Sequence, residues 1–540
     1  MLPYCQMGAL TGNARETAGG DLGWPLRRAA SLYPSSDAVV DGERTLTYAE
    51  LASRVGALGA ALDELAVPAG GRIGFLGVNS LAHVECWMAI PAFGRVIVDL
   101  NFRLAQAELA FIVNDCGIEV LVIDQDQLEV GRALRSDCPS VRQLVLDADA
   151  TADDCTSYEH LVDRDPVDPP DIEAHALAAI SYTGGTTGAP KGVMLSHGNL
   201  LANARHNLIA TGHKHADRWL HVCPMFHVAG TANVFACTWV GAKQIVLPRF
   251  AAGAAVETIT REAVTHTMLV PTMLAMLLDE LESQPRVDLA CLRHLQYAAS
   301  PITSDVQQRA LERLDCDIAQ FYGMTEAAPT VTHLSPEDHR RGAHRDEPFA
   351  SRLRSIGAPV VGVQTEVRGP DGSRLAPDEI GELWVRGPNV MLGYWNRPDA
   401  TAAALVGGWY RTGDAARADQ DGYVYLVDRL KDMIITGAEN VYSIEVEMAL
   451  AEHAAVHEAA IFGIPHDRWG EAVHAVVTVK ENVTVTTEEL IEHCRPLIAG
   501  YKIPRSIEIR TEPLPKSAAG KVLKNELREP FWAGHERRVN

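Results

Sequence analysis

Residues 181–193 read Ser-Tyr-Thr-Gly-Gly-Thr-Thr-Gly-Ala-Pro-Lys-Gly-Val. The apolar run Leu177–Tyr182 precedes the glycines, so a buried strand delivers the loop at its C-terminal end. Glycine lets consecutive backbone N–H groups turn inward as an anion-binding nest, and threonine hydroxyls add donors. Lys191 supplies a point charge for outer phosphates. The Walker pattern is excluded, because it needs Gly-Lys followed by Ser or Thr. Here Pro190 precedes Lys191 and Gly192 follows it. The loop therefore points to phosphate chemistry of another kind.

Working outward, the chain alternates strand and helix. Val39-Val40-Asp41-Gly42 is a hairpin signal, and Thr47 with Glu50 has capping-box spacing. Leu51, Val55, Leu58 and Leu62 then share one helical face. Strands are predicted at Arg72–Val78, Val96–Leu100, Val120–Asp124, Leu144–Asp147, Leu177–Tyr182, Gln244–Leu247 and Met268–Val270, with a helix near Leu81–Phe93. The expected fold is α/β: a large N-terminal domain (1–430) of parallel sheets covered by helices. Within it, 360–428 has closely spaced strands and turns such as Gln420-Asp421-Gly422, a β-rich subdomain. Residues 431–540 form a small α+β C-terminal domain, with a helix near Ser443–Glu452 and strands near Ala459–Phe462, Ala475–Lys480 and Ser506–Arg510.

A chain of 540 residues exceeds one ordinary core. With 48 basic against 70 acidic residues and a formal charge of -22, broad nucleic-acid binding is disfavoured. The 10 cysteines include no C-x-x-C pair, which argues against a thiolate zinc site and fits a reducing cytoplasm. The N-terminal stretch lacks signal-peptide organisation, and no transmembrane segment is expected. His206, His213, His215 and His221 lack zinc spacing and are read as loop and helix surface.

Four further motifs follow in order: Gln320-Phe321-Tyr322-Gly323-Met324-Thr325-Glu326, Tyr410-Arg411-Thr412-Gly413-Asp414, Asp428-Arg429-Leu430-Lys431-Asp432, and Pro515-Lys516-Ser517-Ala518-Ala519-Gly520-Lys521. From the residues alone, Tyr322 is placed to stack on a base, Thr325 to donate to a phosphate and Glu326 to hold Mg²⁺. Asp414 suits the two hydroxyls of a ribose. Loop and motifs together, from about Thr45 to Arg528, resemble the adenylate-forming superfamily of acyl- and aryl-CoA synthetases, peptide adenylation domains and beetle luciferases. The likeness is greatest to bacterial fatty-acyl-CoA ligases.

That resemblance implies an enzyme using ATP, Mg²⁺ and coenzyme A: a carboxylate attacks the α-phosphate, pyrophosphate leaves, and the acyl group passes to CoA. It implies nucleotide contacts at Thr183, Gly184, Gly185, Thr186, Thr187, Gly188, Lys191, Ser300, Tyr322, Thr325, Asp414 and Arg429. Lys521, not Lys516, becomes the adenylating lysine, Lys431 the hinge of a rotating C-terminal domain, and Gly437 and Ala438 the CoA tunnel. Ala438 departs from the family's Gly-Gly-Glu-Asn. The segment Pro224–Gly230 places His227 beside the reacting carboxylate, with Val228, Ala229, Gly323 and Met324 at the acyl pocket. Small residues there, with the apolar tone of Met324, Ala327 and Ala328, suggest a fatty or aryl acid, and the likeness to bacterial fatty-acyl-CoA ligases puts a medium- or long-chain fatty acid first. No carrier-protein signature is present, so free CoA is the expected acceptor and a separate acyl carrier protein the alternative. A non-catalytic adenylate-binding relative is the rival class, disfavoured by Glu326, Asp414, Arg429 and Lys521 occurring together.

Overall fold

The computed structural model describes residues 20–148, 152–183, 190–429, 432–436, 439–466, 468–480, 483–516 and 522–533. The start of the fold follows its local chemistry. Strands Asp37–Asp41 and Arg44–Thr47 form the hairpin, with Gly42 at φ +59° in the turn. Thr47 then caps helix Tyr48–Glu64: its hydroxyl accepts from the Glu50 N–H, and the Glu50 carboxylate accepts from the Thr47 N–H. Leu51, Val55, Leu58 and Leu62 are all buried on that helix.

The described strands build four sheets. In the nine-stranded sheet, Asp37–Asp41, Lys243–Val246, Arg218–His221, His266–Leu269, His294–Ala298 and Asp317–Gly323 run parallel in that spatial order. The eight-stranded sheet has Arg72–Leu76, Val96–Leu100 and Ile118–Asp124 at its centre, also parallel. All five residues of Val96–Leu100 are buried, the uninterrupted burial of a strand covered on both faces. Its one charge, Asp99, accepts from the Trp87 indole at 2.8 Å and sits 3.0 Å from His83. A five-stranded antiparallel sheet spans Gln364–Arg368 to Val424–Arg429. The fourth sheet contains Ile434–Thr436, Val456–His466, Gly470–Val479 and Ser506–Arg510.

Two arrangements differ from the sequence reading. The strand Gly393–Tyr394, within the β-rich stretch, leaves it and pairs with Lys191–Ser196 in the eight-stranded sheet. The histidine set is not a surface feature: His206, His213 and His221 are buried and only His215 is exposed. Helix His197–Thr211 packs inside the molecule, which puts His206 in the interior. His221 lies on a central parallel strand and meets Gln244 at 2.9 Å. Even His215 is engaged, stacking on Tyr33 with ring centroids 3.9 Å apart. Among the described residues no helix is long and apolar enough to cross a membrane.

Candidate active site

The opening stretch is a strand–loop–strand unit. Leu177–Thr183 pairs antiparallel with Lys191–Ser196, and Thr183 stands opposite Lys191. No helix starts directly after the loop; His197–Thr211 begins only beyond the second strand. A Walker loop aims a helix N-terminus at its phosphates, whereas this geometry leaves attraction to side-chain cations and backbone donors. Gly184, Gly185, Thr186, Thr187 and Gly188 lie outside the described residues. The base is braced from below: Tyr182 donates to Asp115 at 2.7 Å, and Arg397 pairs with the other oxygen of Asp115 at 2.9 Å.

Lys191 is exposed, with its Nζ 5.1 Å from the centroid of Tyr394. The Tyr394 hydroxyl donates to Glu326 Oε1 at 2.9 Å. The strand that left the β-rich sheet thus joins the loop lysine to the candidate metal carboxylate. Burial, then the Glu326 carboxylate, push the phenols of Tyr394 and Tyr410 above their ordinary range. Glu326 occupies a 3₁₀ turn, Thr325–Ala327, whose backbone is clamped. The buried Asn389 amide donates to the carbonyls of Ala327 and Thr330, each at 2.7 Å, and Met391 N–H donates to Glu326 O. A hard carboxylate oxygen held on a rigid turn fits Mg²⁺.

The second cluster centres on Asp414. Strand Asp317–Gly323 ends with Tyr322, whose hydroxyl donates to Asp414 Oδ2 at 2.6 Å. Arg429, opposite Asp414 in the antiparallel register, places Nε 3.1 Å from Oδ1. Burial and then the Asp414 carboxylate raise the Tyr322 phenol well above its ordinary value, so it stays a donor. Ser300 follows strand His294–Ala298, beside the Tyr322 strand, and so shares its C-terminal edge. Thr325 opens the turn that carries Glu326.

His227 precedes the short helix Val228–Thr231, which follows strand Arg218–His221. Its ring lies 4.6 Å from that of Phe226, and Phe226 meets Phe102 edge-on at 5.2 Å. Arg103 lies over both phenylalanines and Arg249 over Phe102, a cationic rim. Val228 is buried, Ala229 half-buried, and Met324 packs between the main core and the β-rich sheet. Gly323 is small for a backbone reason: a Cβ there would lie 1.6 Å from Pro329 O. Ala327 is sealed into the β-rich core. The smallness of Gly323 thus answers to the Pro329 carbonyl packed against it.

Lys521, Lys431, Gly437 and Ala438 lie outside the described residues. The stretch containing Lys521 is flanked by a bridge between Lys516 and Val522, and Lys516 pairs with Glu458 at 3.1 Å. Nearby, Lys524 donates to Ser443 at 2.6 Å and pairs with Glu447 at 2.7 Å. Ser443 in turn hydrogen-bonds Asp428 through both its N–H and its hydroxyl. Sequence reasoning missed Tyr394, Asn389, Asp115 and the Phe102–Arg103 pair. The aromatic pair after Gly393, ahead of Pro398, was the available signal; Asn389 and Asp115 had none.

Residues 26–395 match the family model described as AMP-binding enzyme, and residues 445–521 match the AMP-binding enzyme C-terminal domain. A feruloyl-CoA synthase from Amycolatopsis sp is 38% identical, over 94% of this chain and 98% of its own. The fatty acid–[acyl-carrier-protein] ligase ScoC from Streptomyces coeruleorubidus is 35% identical, over 95% and 96%. Among solved structures, o-succinylbenzoate CoA synthetase (MenE) from Bacillus subtilis, in complex with the acyl-adenylate intermediate OSB-AMP, matches with a TM-score of 0.81 at 30% identity. That match covers 93% of this chain and 97% of the other.

Proposed function

This chain belongs to the AMP-binding enzyme family, with acyl- and aryl-CoA ligases among its relatives, and from that premise we propose how its residues divide the work, which acid it takes and that CoA is the acceptor. The carrying observation is a pair of clusters assembled where three sheets supply residues: Lys191–Tyr394–Glu326 and Tyr322–Asp414–Arg429.

In this reading Thr183, the glycine-threonine loop and Lys191 hold the outer phosphates as a leaving group. Asp414 accepts from the ribose hydroxyls, Arg429 orients Asp414, and the Tyr322 ring faces the base with Ser300 and Thr325 nearby. Glu326 holds Mg²⁺, which when bound offsets negative charge on the phosphates. The acid's carboxylate oxygen attacks the α-phosphorus, the bond to the bridging oxygen breaks, and pyrophosphate departs. Lys521 stabilises charge growing on the α-phosphate oxygens. His227 positions the carboxylate. In the second step the CoA sulfur displaces AMP from the acyl carbon, its proton leaving to solvent, after a rotation about Lys431 brings Gly437 and Ala438 to the site.

The proposed acid is apolar, with an aryl acid first. The aromatic cluster of Phe102, Phe226 and His227 supports an apolar acid, and the likeness to a feruloyl-CoA synthase supports an aryl one. A medium- or long-chain fatty acid is the second reading, supported by similarity to a long-chain-fatty-acid–CoA ligase from Thermus thermophilus. The likeness to ScoC supports a carrier protein as the rival acceptor. The test is ATP–pyrophosphate exchange over aryl, arylalkenoic and fatty acids, with positive acids repeated with CoA. Exchange led by aryl acids, followed by thioester formation, is expected. Exchange by fatty acids alone overturns the acid class, and exchange without CoA thioester overturns the acceptor.

A further inference from the structure

Among the described residues one trio offers metal-ligating atoms at close range: His213, Asp217 and His266, all buried, with those atoms within 4.8 Å of one another. Asp217 directly precedes strand Arg218–His221, and His266 opens the neighbouring parallel strand. The trio therefore sits at the N-terminal ends of strands whose C-terminal ends lead to His227 and the nucleotide cluster. It lies across the sheet from the chemistry.

We propose that His213, Asp217 and His266 bind one divalent transition-metal ion of the zinc class, a site separate from the Mg²⁺–nucleotide site. His213 Nδ1 and His266 Nε2 each lie 3.7 Å from Asp217 Oδ2, too far for a direct hydrogen bond. Around a tetrahedral ion with bonds of about 2.1 Å, ligand atoms stand roughly 3.4 Å apart. The two 3.7 Å separations need to close by only about 0.3 Å to reach that value, and the two imidazole nitrogens already lie within 4.8 Å of each other.

The surrounding contacts accommodate the required tautomers. His213 Nε2 faces Asn233 Oδ1 at 3.3 Å, and His266 Nδ1 faces Thr265 Oγ1 at 2.8 Å. With those outer nitrogens protonated and donating, both inner nitrogens present lone pairs toward a carboxylate. Outer-shell acceptors of this kind accompany metal-bound imidazoles. His213 Nδ1 is buried and makes no hydrogen bond. Three electron-pair donors thus converge with no proton between them, an arrangement that a cation relieves. Asp217 is itself oriented by the Lys214 N–H at 2.7 Å and by Arg293, whose half-exposed side chain marks the route from solvent.

Two imidazoles and one carboxylate suit zinc, cobalt or nickel, whereas Mg²⁺ and Ca²⁺ prefer all-oxygen shells. The adenylation metal would therefore not compete. A bound ion would tie the turn at Lys214–Asp217 to strand His266–Leu269, a structural role.

The experiment uses tag-free full-length protein, stripped with dipicolinate and titrated with Co²⁺. Expected are one Co²⁺ per chain with the visible absorption of low-coordinate cobalt, displacement by Zn²⁺ but not by excess Mg²⁺, and a raised Tm. His213→Ala and His266→Gln should each weaken binding by more than the roughly 10–100-fold typical of outer-shell changes, and remove the Tm response. His266→Gln keeps the side-chain volume and serves if His213→Ala does not fold. Absence of saturable binding at one ion per wild-type chain, or undiminished binding in a folded variant, overturns the proposal.

Discussion

Replacing Asp414 by asparagine tests the nucleotide assignment, because it keeps the shape and removes the charge. Asp414 is only 5% exposed. Asparagine Oδ1 still accepts from the Tyr322 hydroxyl, a weakening of about 1 kcal/mol. The amide NH2 then faces Arg429 Nε and takes away its acceptor. Arg429 loses its counter-charge, but its side chain is 45% exposed. Solvent screening holds that cost near 1 kcal/mol, well under the 3–5 kcal/mol typical of a fully buried pair. A drop in Tm of a few degrees is expected. The functional effect should be larger in proportion. If Asp414 accepts from two ribose hydroxyls, each bond weakens by about 1 kcal/mol, and the KM for ATP rises about 10–100-fold. Pyrophosphate exchange against ATP concentration, paired with a melting curve, separates the two effects. A lowered Tm with a KM for ATP within about twofold of wild type would refute the ribose role and leave Asp414 as a brace for Tyr322 and Arg429.

Three further outcomes are expected. Lys521→Ala should abolish adenylation while sparing thioester formation from supplied acyl-adenylate; comparable loss of both half-reactions in a folded variant counts against the assignment. Gly323→Ala should destabilise by about 3 kcal/mol or more, since the new Cβ meets Pro329 O at 1.6 Å, and unaltered unfolding would show that the turn yields. Burial, reinforced by the carboxylates of Glu85, Asp41 and Glu159, holds Asp147 up at about 6 from an ordinary 3.8, against the opposing Ser80 hydrogen bond. A raised acid contributes stability below its ordinary value and loses it as pH rises through the folded value. Asp147→Asn should therefore gain Tm relative to wild type between about pH 4 and about pH 7, and a pH-independent difference would contradict this.

Much of the frame was legible in the sequence because local rules and tertiary demands agree there. Thr47 and Glu50 announced their cap, and the apolar run at Val96–Leu100 announced a strand covered on both faces. Tyr322, Asp414 and Arg429 were read as separate motifs; strand register sets Arg429 opposite Asp414, and the Tyr322 hydroxyl reaches Asp414 from another sheet. Tyr394 was missed because its role depends on a two-residue strand crossing to another sheet, which leaves no periodicity to read. The histidines misled for a related reason. A short helix buried on several sides has no polar face to mark it, so His206 resembles a surface residue in one dimension. Gly323 shows the converse, a small residue suggesting space where a carbonyl already stands.

The register of Thr183 against Lys191 has a consequence for evolution and for engineering. Both feet of the loop stand in adjacent strands of one sheet, so the span between them is set by strand spacing and not by the loop's own length. If the segment binds phosphates as proposed, the closure entropy of a segment with fixed ends changes only slowly as residues are added. An insertion or deletion between the feet alters reach without shifting either strand. In a strand-to-helix phosphate loop the same change would translate a whole helix. Here the grip can be tuned while the scaffold stays still.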